Sequence, residues 1–220
     1  MNEQIYLARK GEKPDLTLFY QTHSPYARKT LVFAHEAGLA DQLDVVHQET
    51  SPTNRNELVF SLNPLGKVPV LAGGSDGPIF DSNVICEYLD MLHDGAKLIP
   101  EAGPARWKAL RFQAAAQGLA DAGIALRWET VRRPEALRYP PLGDGMSEKL
   151  LATYDWLEGE LDPSASIDVG QIALATTLDW LEFRDLPTFR PSRPKLTRWF
   201  DQFLARPSMQ ATPLSGETVD

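Results

Sequence analysis

The residues with the clearest capacity for chemistry lie in three short stretches of the first half of the chain. One of them is Asp81-Ser82, which stands where a predicted strand ends and a helix begins. A carboxylate, a hydroxyl and the free amides of a helix N-terminus together suit an amino-acid-like ligand. The same pair could equally serve as a plain helix cap.

The second stretch is Val68-Pro69, which places a proline inside an apolar run that otherwise predicts a strand. Proline cannot donate to a sheet ladder, so it belongs at an edge, a bulge or a special turn. A bend with a cis bond would leave the backbone of Val68 free for a ligand. Lys67 is well placed for a ligand carboxylate. An edge proline and a solvated lysine are the simpler alternatives.

The third stretch begins at Ser24, which follows the first predicted strand, with Pro25 at the first position of a helix. A hydroxyl beside helix N-terminal amides could bind a thiolate and lower the pKa of a thiol. The alternative is that Ser24 is only an N-cap. The segment from Ser24 to Ala27 fills the place of a C-P-x-C redox motif without either cysteine, which excludes a dithiol oxidoreductase there.

The remaining reactive side chains give weaker indications of a functional site. Cys86 lies in a helix of apolar periodicity and is expected to be a buried structural thiol. The four histidines have no metal-ligand spacing, so no metal is predicted. His23 beside Ser24 suggests a nucleophilic dyad, but neighbours on an extended chain point to opposite faces.

The composition narrows the classes of function. The chain has 220 residues, one cysteine and a formal net charge of -8, which argues against a disulfide framework and non-specific nucleic-acid binding. No apolar run is long enough for a membrane span, and the first residues are too polar for a signal peptide. We expect a soluble cytoplasmic protein in which an anionic ligand requires local positive groups.

The chain divides into two halves with different secondary-structure patterns, and these halves must position the residues named above. Residues 1–94 alternate strand and helix in the order β-α-β-α-β-β-α, residues 95–104 read as a linker, and residues 105–220 read as helical. In the first half the predicted strands are 16–20, 43–47, 67–72 and 78–80, and the predicted helices begin at Ser24, Glu57 and near Val84.

The helical half is predicted to contain helices over 105–125, 147–161, 168–183 and 195–205. Prolines and glycines in 132–145 predict a loop. Asp168 caps the third helix of this half, and Gln171 is predicted to close a capping box by reaching back to the cap. Several large aromatic residues could line an apolar pocket or pack between helices: Trp107, Phe112, Trp128 and Tyr139.

Taken together in this order and spacing, the motifs HSPYARKTLVFAHEAGL, NPLGKVPVL, FDSNVICEYLD, SIDVGQIAL and the closing RPS match one family. The chain resembles the cytosolic glutathione S-transferases, most closely the small bacterial members with a serine at the start of the first helix. The resemblance covers nearly the whole chain. It implies an α/β thioredoxin-like N-terminal domain, an all-α C-terminal domain and a homodimer.

The resemblance also implies roles for individual residues. Ser24 would activate the glutathione sulfur, and Val68, before a cis-Pro69, would pair its backbone with the cysteinyl part. Asp81 and Ser82 would hold the γ-glutamyl end, and Lys67 could meet a carboxylate. Glutathione would be a substrate, with no other cofactor. The pocket for a small electrophile would use Tyr26, Trp107, Phe112, Trp128 and Tyr139.

The chain departs from the family pattern in three places. Gln171 stands where the capping box normally ends in Asp, and about 14 residues precede the first strand. Tyr20 and Tyr6 raise a tyrosine-activated alternative, which ranks below Ser24 because Tyr20 ends a strand and Tyr6 lies upstream of it.

Three functions remain open from the sequence. The first is a transferase that conjugates glutathione to small apolar electrophiles, as in detoxification. The second is a glutathione-dependent disulfide or peroxide reductase in which bound glutathione is the only thiol. The third is a non-catalytic binding module, because a fold alone does not fix a function.

Overall fold

A small mixed sheet organises the first half of the protein. The computed structural model describes residues 16–74 and 77–217. Strands β1 (Leu16–Tyr20), β2 (Leu43–His47) and β3 (Val70–Ala72) lie in the order β2-β1-β3. β2 is parallel to β1 and β3 is antiparallel to it. The strands predicted over 16–20 and 43–47 are confirmed.

The other two predicted strands are shorter than expected. β3 begins at Val70 rather than at Lys67, because Pro69 has no N–H for the ladder. The strand predicted over 78–80 is reduced to one antiparallel bridge between Leu71 and Ile79.

Three helices accompany the sheet: α1 (Pro25–Glu36), α2 (Glu57–Leu62) and α3 (Ser82–Met91). Each begins at a capping side chain, because Ser24, Asn56 and Asp81 accept hydrogen bonds from backbone amides of the first turn. α1 ends at Glu36, and Gly38 follows with a φ of 69°. Glycine adopts this left-handed conformation without strain, so Gly38 suits the end of α1.

The main elements of the second half are helices. Its helices are α4 (Gly103–Arg127), α5 (Pro140–Glu160), α6 (Val169–Phe183), α7 (Pro194–Leu204) and α8 (Pro207–Gln210). α4 continues into a π-helical turn over Trp128–Arg132. The loop predicted over 132–145 is wrong in its second part, because Pro140 and Pro141 occupy the first turn of α5, where proline is tolerated.

α6 is the buried centre of the helical half and also contacts the first half. It packs against α4 and α1, and Leu174, Leu178 and Leu181 lie in its core. Asp168 caps it by accepting from the Gln171 amide at 2.9 Å. The Gln171 side chain does not close the predicted capping box, because its amide donates instead to the Ser166 carbonyl at 2.8 Å.

Polar contacts fix α1 to its surroundings. Arg28 and Lys29, two adjacent cationic residues of α1, are 2% and 3% exposed. Arg28 pairs with Asp179 of α6, and Lys29 donates to Asn83 Oδ1 of α3 at 2.5 Å. Both charges are buried because each has a polar partner on a neighbouring helix.

The closing RPS motif holds the C-terminal region against the end of α1. Arg206 donates to both carboxylate oxygens of Glu36, at 2.8 and 2.7 Å, and Ser208 donates to the same carboxylate at 2.5 Å. Burial of the Glu36 carboxyl opposes its charge, but these hydrogen bonds hold its pKa below the ordinary value.

The extension before the first strand, with Tyr6 and with Ile5–Leu7, for which the sequence left a short strand or no element open, lies outside the described residues. Across the described ranges, no helix combines the length and apolar character that crossing a bilayer requires.

Candidate active site

A cleft of about 630 Å³ lies between the sheet half and the helical half. One wall comes from the turn after β1, the start of α1 and the segment before Pro69, and the other comes from the end of α4 and from α6. Its lining residues are Gln21, His23, Ser24, Pro25, Tyr26, Thr50, Ser51, Pro52, Arg55, Phe60, Leu65, Gly66, Lys67, Val68, Asp121, Ile124, Ala125, Arg127, Trp128, Arg132, Trp180 and Arg184.

Ser24 lies at the point where the first strand turns into α1. Its Oγ accepts from the Ala27 amide at 3.2 Å, and its side chain reaches the cleft. The hydroxyl hydrogen remains available to a ligand, since the cap uses only a lone pair. An anion beside this hydroxyl would also lie at the positive end of the helix.

Val68 and Lys67 line the cleft with Ser24. The Val68–Pro69 bond is cis, and the ladder of β3 stops at Val70, so the backbone of Val68 stands outside it. The turn is braced from behind, because Thr50 donates to the Gly66 carbonyl at 2.9 Å and Asn63 donates to the Lys67 carbonyl at 2.8 Å.

Asp81 and Ser82 begin α3 and do not line the cleft itself. Asp81 is exposed, and its Oδ1 accepts from the Asn83 amide at 3.0 Å, which is the plain capping role. One carboxylate oxygen therefore remains for a ligand. Ser82 is fully buried, and its Oγ has no hydrogen-bond partner among the described residues.

His23 enters the same cleft as Ser24, contrary to the expectation that the two side chains point to opposite faces. The reason is local, because residues 22 and 23 form a turn rather than extended chain. The imidazole is 5% exposed, and its nearest carboxylate is Glu49 Oε2 at 3.7 Å from Nε2. Burial lowers the pKa of His23 more than Glu49 raises it, so the ring is neutral at pH 7. Both ring nitrogens are buried without a hydrogen-bond partner among the described residues.

Neither described tyrosine near Ser24 is poised to activate a thiol. Tyr20 is 5% exposed and outside the cleft lining, and burial raises its pKa to about 12. Tyr26 lines the cleft, but its hydroxyl donates to Asp121, and burial together with that bond raises its pKa. Tyr6 falls outside the described residues.

Two of the five residues predicted for the electrophile pocket, Tyr26 and Trp128, line the cleft. The structure does not bring the other three there, and the expectation is corrected. Trp107 is 70% exposed on the outer face of α4. Phe112 is buried against Trp156, with 5.3 Å between the two ring centroids. Tyr139 is 64% exposed, because only its backbone amide turns inward.

Similarity to known proteins agrees with this geometry. Sequence models described as the glutathione S-transferase N-terminal and C-terminal domains match residues 23–92 and 140–202. The structure resembles a glutathione transferase family member from Pseudomonas fluorescens Pf-5 solved with bound glutathione. The TM-score is 0.87 and the identity 35%, over 92% of this chain and 100% of that chain. The chain belongs to the glutathione S-transferase family.

Two further relatives extend the comparison. A glutathione transferase family member from the same Pseudomonas strain, solved with bound S-(propanoic acid)-glutathione, has a TM-score of 0.83 and 35% identity, over 91% of this chain and 100% of that chain. The GST-like protein YibF of Escherichia coli (strain K12), itself uncharacterised, is 28% identical over 86% of this chain and 94% of its own length.

Apart from Lys67, the charged residues of this glutathione S-transferase cleft were not predicted from the sequence. Five lining residues are cationic: Arg55, Lys67, Arg127, Arg132 and Arg184. Asp121 is the one acidic residue in that lining. This local excess supplies the positive groups that an anionic ligand requires in a chain of net charge -8.

The remaining candidate nucleophile stays apart from the cleft. Cys86 is fully buried in α3, and burial raises the pKa of its thiol to about 12, so it is inert at neutral pH. Within residues 16–74 and 77–217 no group of three or more His, Cys, Asp or Glu side chains could hold a metal ion. That the protein uses no metal stays a prediction.

Proposed function

We propose that this protein conjugates glutathione to small electrophiles, and that the Ser24 hydroxyl stabilises the attacking thiolate. The observation that carries the proposal is Ser24 itself: a capping hydroxyl at a helix N-terminus, facing a cleft shared with Val68 and Lys67. Glutathione in the Pseudomonas relative supports a tripeptide ligand here.

In this proposal the backbone of Val68, before cis-Pro69, pairs with the cysteinyl part of glutathione, and Lys67 meets its glycyl carboxylate. Asp81 and Ser82 hold the γ-glutamyl end at the start of α3. The thiol proton leaves to solvent water as the thiolate forms. The remaining volume, beside Tyr26 and Trp128, receives the electrophile.

The gain from thiolate stabilisation can be bounded. A hydrogen bond to a charged group contributes about 1.5–3 kcal/mol. At about 1.4 kcal/mol per tenfold in rate, loss of the Ser24 hydroxyl should slow conjugation by about ten- to a hundredfold. Holding both reactants in one cleft adds the advantage of proximity.

The test measures glutathione affinity by calorimetry and conjugation of 1-chloro-2,4-dinitrobenzene in the wild type and in Ser24→Ala. Ser24→Thr, which keeps a hydroxyl, is the matched variant and should retain most of the rate. Ultraviolet absorbance of the bound thiolate gives the thiol pKa, which should rise in Ser24→Ala.

Unchanged turnover in Ser24→Ala would remove Ser24 from the mechanism. Absence of glutathione binding in the wild type would instead favour a non-catalytic binding module. Steady reduction of a model disulfide without conjugation would favour a glutathione-dependent reductase. We also propose that the protein is a cytoplasmic homodimer acting in detoxification, and sedimentation of the purified protein tests the dimer.

A further inference from the structure

The positive charge of the cleft is divided between its two walls. Arg55 and Lys67 lie on the wall where the proposed function puts glutathione, whereas Arg127, Arg132 and Arg184 come from the ends of α4 and α6. Glutathione carries two carboxylates, and Lys67 and the start of α3 are already assigned to them. The arginines of the helical wall therefore have no counterpart in glutathione.

Arg184 is the most buried of these arginines. Its side chain is 3% exposed, and its Nε is buried without a hydrogen bond in the described part of the chain. Burial, and then the neighbouring charge of Arg127, lower the pKa of Arg184. A buried guanidinium next to a second one requires an anion to compensate it.

The anion present at this position is the carboxylate of Glu217. Its Oε2 accepts from Arg184 Nη1 at 2.8 Å and from Arg127 Nη2 at 3.1 Å. The segment that carries it lies along the turn before Ser24, because Ser215 donates to the Thr22 carbonyl at 3.1 Å and the Thr22 hydroxyl donates to the Ser215 carbonyl at 2.8 Å.

Glu217 is a weak occupant of this position. Its side chain is 76% exposed, whereas those of Arg184 and Arg127 are 3% and 16% exposed. An exposed carboxylate gains little from an ion pair, because water already solvates it well. A ligand carboxylate that entered from the cleft side could displace it and bind both guanidinium groups.

We propose that Arg127 and Arg184 form a carboxylate subsite for the second substrate, and that Glu217 occupies this subsite in the free protein. The inference rests on the proposed function and names its acceptor class. The acceptor is a small electrophile with a carboxylate at the end away from its reacting carbon. Trp128 and Trp180 also line the cleft. Their flat rings favour an acceptor in which an aromatic ring joins the carboxylate to the reacting carbon.

For an aryl halide acid the reaction balances without a further reactant. The glutathione thiol loses its proton to water, and the thiolate sulfur forms a bond to the ring carbon. The carbon–halogen bond breaks, and the halide leaves with the electron pair. The carboxylate takes no part in the bond changes and serves only to hold and orient the ring.

The experiment compares two acceptors that differ only in charge: 4-chloro-3,5-dinitrobenzoate and its methyl ester. Each kcat/KM is divided by the spontaneous rate with glutathione, which removes the difference in intrinsic reactivity. We expect the wild type to favour the acid by about tenfold, as charge-assisted hydrogen bonds imply. Arg184→Gln and Arg127→Gln should bring the ratio of acid to ester close to one.

Arg111→Gln is the matched control, because Arg111 also pairs with a glutamate, Glu160, but lies on the exposed outer surface. It should leave both rates unchanged. Glu217→Gln should lower KM for the acid and leave KM for the ester unaffected, because it removes the internal competitor. If the tail had only a structural role, Glu217→Gln would change KM for both acceptors alike.

Two results would overturn the subsite: equal corrected kcat/KM values for acid and ester in the wild type, or a preference for the acid that survives in Arg184→Gln. In either case, conjugation of the ester would leave the proposed function standing. Weaker glutathione affinity in Arg184→Gln, with the acid preference intact, would also overturn it, since the arginine would then serve glutathione.

If glutathione binds but neither acceptor is conjugated, the proposed function fails, and the subsite is judged by affinity alone. Calorimetry then compares S-(4-carboxy-2,6-dinitrophenyl)glutathione with its methyl ester on the wild type. Tighter binding of the acid supports the subsite and equal binding overturns it. The same comparison decides the matter if the arginine variants do not fold.

Discussion

Gly170 offers a quantitative test of how the helical wall of the cleft is packed. It lies in the first turn of α6, and a Cβ at this position would stand 2.5 Å from the Ala109 carbonyl oxygen and 2.7 Å from Phe112 Cβ. Both atoms belong to or adjoin the backbone of α4, so no change of rotamer relieves the contact. α4 and α6 would have to separate by roughly an ångström to restore ordinary contact.

Two effects of Gly170→Ala oppose each other. Overpacking of a tight contact destabilises by about 1–3 kcal/mol. Alanine in place of glycine in a helix stabilises by about 0.5–1 kcal/mol. We therefore expect a net loss of up to about 2.5 kcal/mol. A change in acceptor KM should accompany it, because α6 also carries Trp180 into the cleft.

The control is Gly118→Ala in α4, where an added Cβ meets nothing within 4 Å. It should stabilise by about 0.5–1 kcal/mol, from helix propensity alone. Urea unfolding at unchanged m reports both free energies. If Gly170→Ala proved as stable as Gly118→Ala, the close approach of α4 and α6 would be wrong.

Three further outcomes follow from the buried polar groups. Alkylation of Cys86 at pH 8 should be about a thousandfold slower in the native protein than in urea, because burial raises its pKa from 9.0 to about 12; rapid labelling without urea would contradict this. Glu36→Gln should lose about 1–3 kcal/mol in urea unfolding through its bonds to Arg206, whereas Glu57→Gln in an exposed pair should change little. Burial raises the pKa of Asp168, so the stability tied to its proton is lost as pH rises through that pKa; Asp168→Asn, which keeps a cap, should match or exceed the wild type in thermal unfolding at pH 7, and a marked loss would refute this.

The local elements of the fold were predictable because their signals are carried by adjacent residues. Ser24 with Pro25, and Asp168 three residues before Gln171, mark helix starts by side-chain chemistry that acts within one turn. The loop predicted over 132–145 was wrong from residue 140 onward for a related reason, since prolines at 140 and 141 disfavour a helix interior but not a helix start.

Contacts between distant elements had no comparable signal. Arg28 and Lys29 resemble the solvated face of a helix, and only the approach of α6 and α3 turns them into buried, paired charges. Trp107, Phe112 and Tyr139 have the size and polarity of pocket residues, but helix rotation decides which aromatic faces the cleft. A single sequence gives the periodicity of a helix, not its orientation against a partner whose position is unknown.

The same distinction separates the two walls of the cleft. Apart from the Lys67 side chain, the groups proposed for glutathione are a backbone segment and residues at helix starts, and all of them lie in short motifs that a sequence exposes. The helical wall uses Arg127 and Arg184, 57 positions apart, with Glu217 from a third segment between them. Their proximity arises only when the ends of α4 and α6 and the tail pack together. The acceptor should therefore vary among relatives that share the glutathione motifs, because an arginine at a helix end can be replaced without disturbing the caps that form the other wall.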